Sequence, residues 1–319
     1  MNTPSSPFAT DDTVLPFFLE NAQVNGRVIR LGSAIDDIIK RHNYPDRVSD
    51  VLGEAVVLTI MLGASVKFEG RLILQTKSDG AIGLIVVQYE TSGSVRAYVR
   101  YDKDSLNDIL ASPSDKNVSL LGHGHLAMTI DQGPDMERYQ GIVPLEGQGL
   151  SDAADTYFRQ SEQLPTYIRL AVAKHYMSDP GQKDEVWRWR AGGLMIQDTA
   201  SQGGYKTPDK NLEVLHDDNA DENWNRVHLL AGTLEDHELL DPLLTPERLL
   251  YRLFHEEQVR VFNTVPIYDR CKCSRDYIKS VLLNFSETER QDMIEEDGKS
   301  ISVTCEFCSK RYVFELSEL

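Results

Sequence analysis

The sequence predicts an α+β fold: an N-terminal domain with a mixed, mostly antiparallel sheet and packed helices, a helical linker, and a small C-terminal four-cysteine module. Three observations carry this. Short runs rich in Val, Ile and Tyr, parted by turn dipeptides, fill the first ~200 residues. An acidic, helically patterned stretch follows. All four cysteines then fall within the last 49 residues. The boundaries are 1–205 for the core domain, 206–265 for the linker and 266–319 for the module.

In chain order, VSDVLGEAVVLTIMLGASV (48–66) has apolar residues on most faces, the composition of a buried helix. RLILQT (71–76), IGLIVVQYE (82–90) and SVRAYVRY (94–101) follow as strands, separated by Asp-Gly and Ser-Gly. HLAMTID (125–131) and YQGIVPL (139–145) bracket QGPDMER as a hairpin. LSDAADTYFRQSEQ (150–163) is helical, with Ser151 as candidate cap. TYIRLAVAKHYM (166–177) and VWRWRAGGLMIQ (186–197) form another strand pair, and the whole region is read as one domain on one sheet.

Composition changes after SQGGYKTPDKN (201–211). Residues 206–241 hold three basic residues (Lys206, Lys210, Arg226) and ten acidic ones, a net of −7. Trp224, Val227, Ala231 and Leu234 recur there at helical spacing, which describes a thin amphipathic helix of marginal stability by itself. A second helix begins at Thr245, with Pro246 in its first turn and Leu249, Leu250, Leu253 and Phe254 as its buried stripe.

The net charge of −17 repels phosphate backbones and anionic lipid, so neither nucleic acid nor membrane is expected as a partner. No run of 18 or more apolar residues and no leader-like N-terminus is read, which makes the cytoplasm the expected compartment.

The cysteines are spaced Cys-x-Cys, 31 residues, Cys-x-x-Cys, in RCKCSRD and TCEFCSK. Two close pairs supply two corners each of a tetrahedral thiolate site, and soft sulfur ligands favour Zn²⁺. Cys271, Cys273, Cys305 and Cys308 are the candidate ligands, with one Zn²⁺ per chain as the expected cofactor. Between the pairs, Ser286 and Glu289 form a capping-box pattern opening a helix over ETERQDMIEED, which Gly298 ends ahead of a strand pair. Arg270, Lys272, Arg275 and Lys310 are expected to stabilise the thiolates and keep them reactive. Oxidation of such thiolates removes ligands, then metal, then the fold of a small module, so the site suits a redox switch with the acidic segment as responder. The competing reading is a constitutive zinc-ribbon binding protein with a purely structural metal. Its RNA version is disfavoured by seven basic against ten acidic residues over 271–319.

CKCSRD and CEFC, within EEDGKSISVTCEFCSKRYVF (295–314), are the strongest marks of a wider resemblance. YQGIVPLEG (139–147), YFRQSEQLPT (157–166), AGGLMIQ (191–197) and RLFHEEQVRVF (252–262) accompany them in order. With these segments the chain resembles, over nearly its whole length, the redox-regulated bacterial chaperone family of thirty-three-kilodalton heat-shock chaperonins. The resemblance implies an ATP-independent holdase of the heat-shock and oxidative-stress response, inactive when reduced and zinc-bound. It implies that oxidation forms the disulfides Cys271–Cys273 and Cys305–Cys308, releases zinc and unfolds the linker. Unfolding client proteins then bind, commonly to a homodimer. Two departures stand out: the segment near 174–190 is longer than the family leads one to expect, and GHGHL carries His123 and His125 where a glycine pair is expected.

Other candidates are weaker. His123 and His125 share a strand face but lack further ligands, so surface histidines are expected. HEEQV (255–259) has Val259 where a zinc-protease helix needs histidine. Trp187 and Trp189 share a face and read as core or hairpin packing, and Gly192-Gly193 as tight backbone geometry. No nucleophile–base pair can be defended from the sequence, so no catalytic residue and no enzyme is expected.

Overall fold

The chain opens on a hairpin of β1 (Thr13–Leu19) and β2 (Val24–Leu31) in the computed structural model. That structure describes residues 11–66, 68–111, 119–133, 136, 138–147, 149–158, 164–177, 186–198 and 218–319. The Asp12 carboxylate accepts the backbone N–H groups of Gly32 (2.9 Å), Ser33 (3.1 Å) and Ala34 (3.1 Å), and so starts α1 (Ser33–His42) with a negative charge at its positive end. α2 (Asp46–Ser65) follows Pro45.

β3 (Arg71–Ser78), β4 (Ile82–Glu90) and β5 (Ser94–Tyr101) form a meander closed by α3 (Lys103–Ala111). β6 (His123–Asp131) pairs β3 and then β7 (Tyr139–Glu146), as the hairpin reading requires. α4 (Leu150–Tyr157) precedes β8 (Thr166–Met177) and β9 (Val186–Asp198), which pair from Thr166–Gln197 to Met177–Val186. This is the extended hairpin; its connection, like residues 159–163 of the expected helix, lies outside the described residues.

Two sheets, not one, make the core. The first runs β10-β1-β2-β9-β8, with β11 also on β1, and the second runs β12-β5-β4-β3-β6-β7. α2 lies between them: Gly53 and Gly193 let it meet Val172 and bring β9 against Val57 and Met61, while Gly63 admits Tyr89 from the other sheet. A helix apolar on most faces needs a sheet on each side, and this one has both. Although α2 is long and apolar enough by composition to cross a membrane, 72% of its apolar window is buried here.

The linker is the third layer. α5 (Asp218–Gly232), α6 (Asp236–Leu240) and α7 (Pro246–Phe254) lie on the outer face of the first sheet. Thr245 caps α7 as expected, accepting from the Arg248 N–H. Residues 206–217 of the expected acidic stretch lie outside the described residues. Beyond α7, β10 (Val259–Val261) and β11 (Val265–Pro266) cover the free edge of β1. β12 (Tyr268–Asp269) pairs parallel with β5 in the other sheet.

The C-terminal module contains α8 (Arg275–Leu282), α9 (Glu287–Gln291), β13 (Ser300–Thr304) and β14 (Arg311–Glu315). The Ser286–Glu289 capping box is present. The helix it opens is shorter than expected, ending at Gln291, and Gly298 is not its terminus. With φ +65° and its N–H donated to the Glu295 carbonyl, Gly298 turns the chain into β13.

Candidate metal centre

Cys271 and Cys273 precede α8, while Cys305 and Cys308 flank the turn between β13 and β14. In that turn the Ser309 N–H donates to the Cys305 carbonyl and the Cys305 N–H to the Lys310 carbonyl, with Ser309 at φ +55°. This brings two backbone segments more than thirty residues apart into one cluster: all four Sγ atoms lie within 4.8 Å of one another. Cys271 and Cys305 sulfurs are 3.6 Å apart and those of Cys273 and Cys308 are 3.2 Å apart. A tetrahedron with ~2.3 Å metal–sulfur bonds has edges of about 3.8 Å, so the donor set fits a four-thiolate ion. Among the described residues it is the one group of three or more His, Cys, Asp or Glu side chains drawn together this way.

The thiols are not equivalent. Burial pushes the Cys273 thiol up, but the Tyr312 hydroxyl at 3.2 Å and the neighbouring thiols outweigh it and bring the group down to about 7. Burial prevails at Cys305 and Cys308, which are raised.

Of the cations expected to serve the site, three are engaged elsewhere and Lys310 meets it through the Tyr312 ring. Lys272 pairs with Glu90 (2.6 Å) and Arg275 with Glu318 (2.8 Å), while Arg270 lies over the Tyr268 ring and Lys310 over the Tyr312 ring. The guanidinium that reaches a sulfur comes from the N-terminal domain: Arg96 on β5 donates to Cys271 Sγ at 3.8 Å. Arg96 is held in place by Gln88, whose Oε1 accepts from its Nε at 3.0 Å. Neither Arg96 nor Tyr312 was legible as a site residue, since a single Arg 175 positions away and one Tyr on a strand carry no spacing signal.

The turn between Cys305 and Cys308 is itself a docking element. Arg96 lies 4.2 Å over the Phe307 ring, and Tyr98 meets it edge-on with centroids 4.9 Å apart. The Arg100 Nε donates to Glu306 at 2.9 Å. At the end of α1, Arg41 pairs with Asp269, and His42 Nε2 lies 3.2 Å from the Phe307 carbonyl. The ring's other nitrogen, Nδ1, lies 3.2 Å from Ser309 Oγ. One tautomer serves both contacts: Nε2–H donates and Nδ1 accepts. Burial lowers the His42 pKa, which suits that neutral form.

The module's own core is small, formed by Ile278, Leu282, Ile301, Tyr312 and Phe314. Five buried side chains supply few kcal/mol against the entropy of some fifty residues, so a bound ion is a natural staple.

His123 and His125 are exposed as expected, and His255 stands in a short 3₁₀ turn ahead of Val259. Trp189 is buried as the packing reading requires, whereas Trp187 on the same strand face is 53% exposed and meets Tyr176 edge-on.

The family model described as Hsp33 protein matches residues 12–315. A 33 kDa chaperonin of Caulobacter vibrioides is 44% identical over 306 residues, covering 95% of this chain and 94% of that protein. A 33 kDa chaperonin of Nitrosococcus oceani is 36% identical over 304 residues, covering 95% and 91%. The crystal structure of a 33 kDa chaperonin from Thermotoga maritima aligns with TM-score 0.71 over 96% of each chain at 22% identity, a likeness of fold.

Proposed function

Because the chain belongs to the Hsp33 chaperone family, we propose that it is a redox-regulated, ATP-independent holdase of the cytoplasm, inactive while reduced. Cys271, Cys273, Cys305 and Cys308 are the ligands in this reading. Zn²⁺, when bound, ties four thiolates into one junction and thereby holds the module folded.

The observation that carries the reading is the linker's position. Leu15, Phe17, Leu19, Val24, Val28, Leu194 and Ile196 form a continuous apolar face on the first sheet, and α5, α6 and α7 cover it with Val227, Ala231, Leu239, Leu249, Leu250, Leu253 and Phe254. Removing that cover presents an apolar surface well suited to unfolding chains. The same linker leads directly into the cysteine module.

The chemistry needs only the thiolates, a peroxide and protons. Two thiolates, one hydrogen peroxide and two protons give one disulfide and two waters, with a sulfenic acid as the intervening step. The shortest sulfur contacts run between the two motifs. Disulfides Cys271–Cys273 and Cys305–Cys308 close within each motif instead, so their formation dissolves the junction. Loss of the junction frees the turn that carries Glu306 and Phe307, and the linker loses a neighbour that fixes its far end. Clients are unfolding proteins, and the active form is a homodimer.

The experiment follows zinc with a chromogenic chelator during peroxide treatment at raised temperature, with light scattering from an aggregating client read in the same samples. Zinc release and suppression of aggregation are expected together and to be absent under thiol reductant. Zinc retained throughout, or a client never protected, would make the cysteines a structural clip.

A further inference from the structure

The linker-covered face is not wholly apolar. Where β2 ends and β9 begins, Arg30 and Arg190 point to the same side as Val28 and Leu194, and they are 1% and 3% exposed. Between them lies Asp11, which accepts from Arg190 Nη1 at 2.6 Å and Nη2 at 2.8 Å. Two buried guanidiniums thus share one carboxylate. Arg30 Nε sits 3.7 Å from Asp11 and has no hydrogen-bond partner.

What completes the cluster is the end of a helix. Arg190 Nε donates to the Leu240 carbonyl at 2.7 Å, and Arg30 donates to the carbonyls of Asp241 and Leu244. The Leu240 and Asp241 carbonyls lie at the C-terminus of α6, the negative pole of the helix, that of Asp241 also accepting the Leu244 N–H at 3.3 Å, and the Leu244 carbonyl directly precedes the Thr245 cap of α7. Gly192 makes the approach: a Cβ there would lie 3.0 Å from Leu239 Cγ and 3.2 Å from the Leu239 carbonyl oxygen. The site is therefore shaped for one feature, an apolar helical turn delivered with its last carbonyls toward two cations.

A buried pair of guanidiniums is costly without acceptors and counter-charge, and beside Asp11 the linker's Asp241 and Glu247 carboxylates also act on Arg30. When the linker leaves, the pair stays on the strands and its three carbonyl partners go. We propose that Arg30 and Arg190 form a receptor for the C-terminal turn of an amphipathic helix, occupied by α6 in the closed chain and by such a turn of a partly unfolded client in the open one. The inference rests on the chaperone reading above. It assigns the covered face a polar specificity that apolar burial alone lacks, with the linker as its internal template.

The probe is a fluorescent synthetic peptide with the sequence of residues 234–255, blocked at both ends, titrated into the oxidised full chain by anisotropy. An environment-sensitive apolar dye reports the apolar face in parallel. Arg30→Gln and Arg190→Gln are each expected to weaken peptide binding about tenfold, the scale of a lost charge-assisted hydrogen bond, with dye binding unchanged. Wild-type peptide affinity in both variants would overturn the inference. Should a glutamine variant not fold, Arg30→Lys and Arg190→Lys keep the charge and lose the fork; weakening of threefold or more is expected, and unchanged affinity overturns. An oxidised wild type that suppresses aggregation yet ignores the peptide removes this inference and leaves the chaperone reading standing. A wild type that never suppresses aggregation removes both.

Discussion

The Arg96 guanidinium lies 4.2 Å above the ring of Phe307, joining a cation of the N-terminal sheet to one of the two residues between Cys305 and Cys308. The same guanidinium donates to Cys271 Sγ. Docking and sulfur chemistry therefore share a group. Phe307→Ala removes a cation–π contact and an edge-on aromatic pair, together about 2 kcal/mol of docking. The variant is expected to keep its zinc when reduced and to release it to a chelator about tenfold faster under peroxide. An unchanged release rate would separate docking from the switch.

Replacing Cys305 and Cys308 together by Ser removes half the donor set. Structural four-thiolate sites contribute about 10–16 kcal/mol to small modules, far more than the five-residue core can replace. Metal analysis of the reduced variant is expected to find no tight zinc, and amide exchange over 271–319 to approach that of an unfolded chain. Tight stoichiometric zinc would contradict the ligand assignment.

Phe254, the last residue of α7, is fully buried and stacks on Phe17 with ring centroids 6.0 Å apart. Phe254→Ala is expected to destabilise the closed linker by about 3–5 kcal/mol while leaving the cysteines untouched. Amides in 218–254 should exchange faster in the reduced protein, and client aggregation should be partly suppressed without oxidant. Wild-type exchange there would refute the coverage argument.

Burial, then the Asp50 and Asp236 carboxylates, raise Glu54 on α2 from 4.5 to about 7. Below pH 4.5 the group is neutral in both folded and unfolded chains; between there and about pH 7 only the unfolded chain ionises freely, so stability falls as pH rises through that window. Glu54→Gln should gain on the order of 2 kcal/mol at pH 8 and converge with wild type at pH 4. Parallel stability–pH curves for the two proteins would count against it.

Gly193 is where β9 meets α2: a Cβ would stand 2.6 Å from Val57 Cγ1 and 2.7 Å from Met61 Cε. Gly193→Ala should cost about 2 kcal/mol and lower Tm by roughly 6 °C, read by calorimetry. An unchanged Tm would mean that the helix can shift at no cost.

Much of this was legible because period and punctuation agreed. Turn dipeptides isolate β3, β4 and β5, whose expected ranges differ from the observed ones by two residues at most. The capping patterns at Thr245 and Ser286 are local and survive folding intact. β1 and β2 gave no strand signal because both of their faces are buried: Val14 and Ile29 face the α2 core, while Leu15 and Val28 face the linker, which erases alternation. The second sheet was hidden for a related reason, since pairings such as Ile29–Gly193 are set by tertiary contacts across more than 160 residues. The four sulfurs were legible from spacing alone, whereas Arg96 and the Arg30–Arg190 pair act across domains and leave no local trace.

The stretch from Val259 to Asp269 has one further consequence. It hydrogen-bonds to β1 of one sheet and, within a few residues, to β5 of the other, passing so close to the turn at Gly93 that a Cβ there would lie 2.1 Å from the Pro266 carbonyl oxygen. Gly93 adopts φ +89°. This short seam stitches the chain to the body between the helices and the thiols. The helices upstream of it and the thiols downstream of it are consequently tied to the body at separate places.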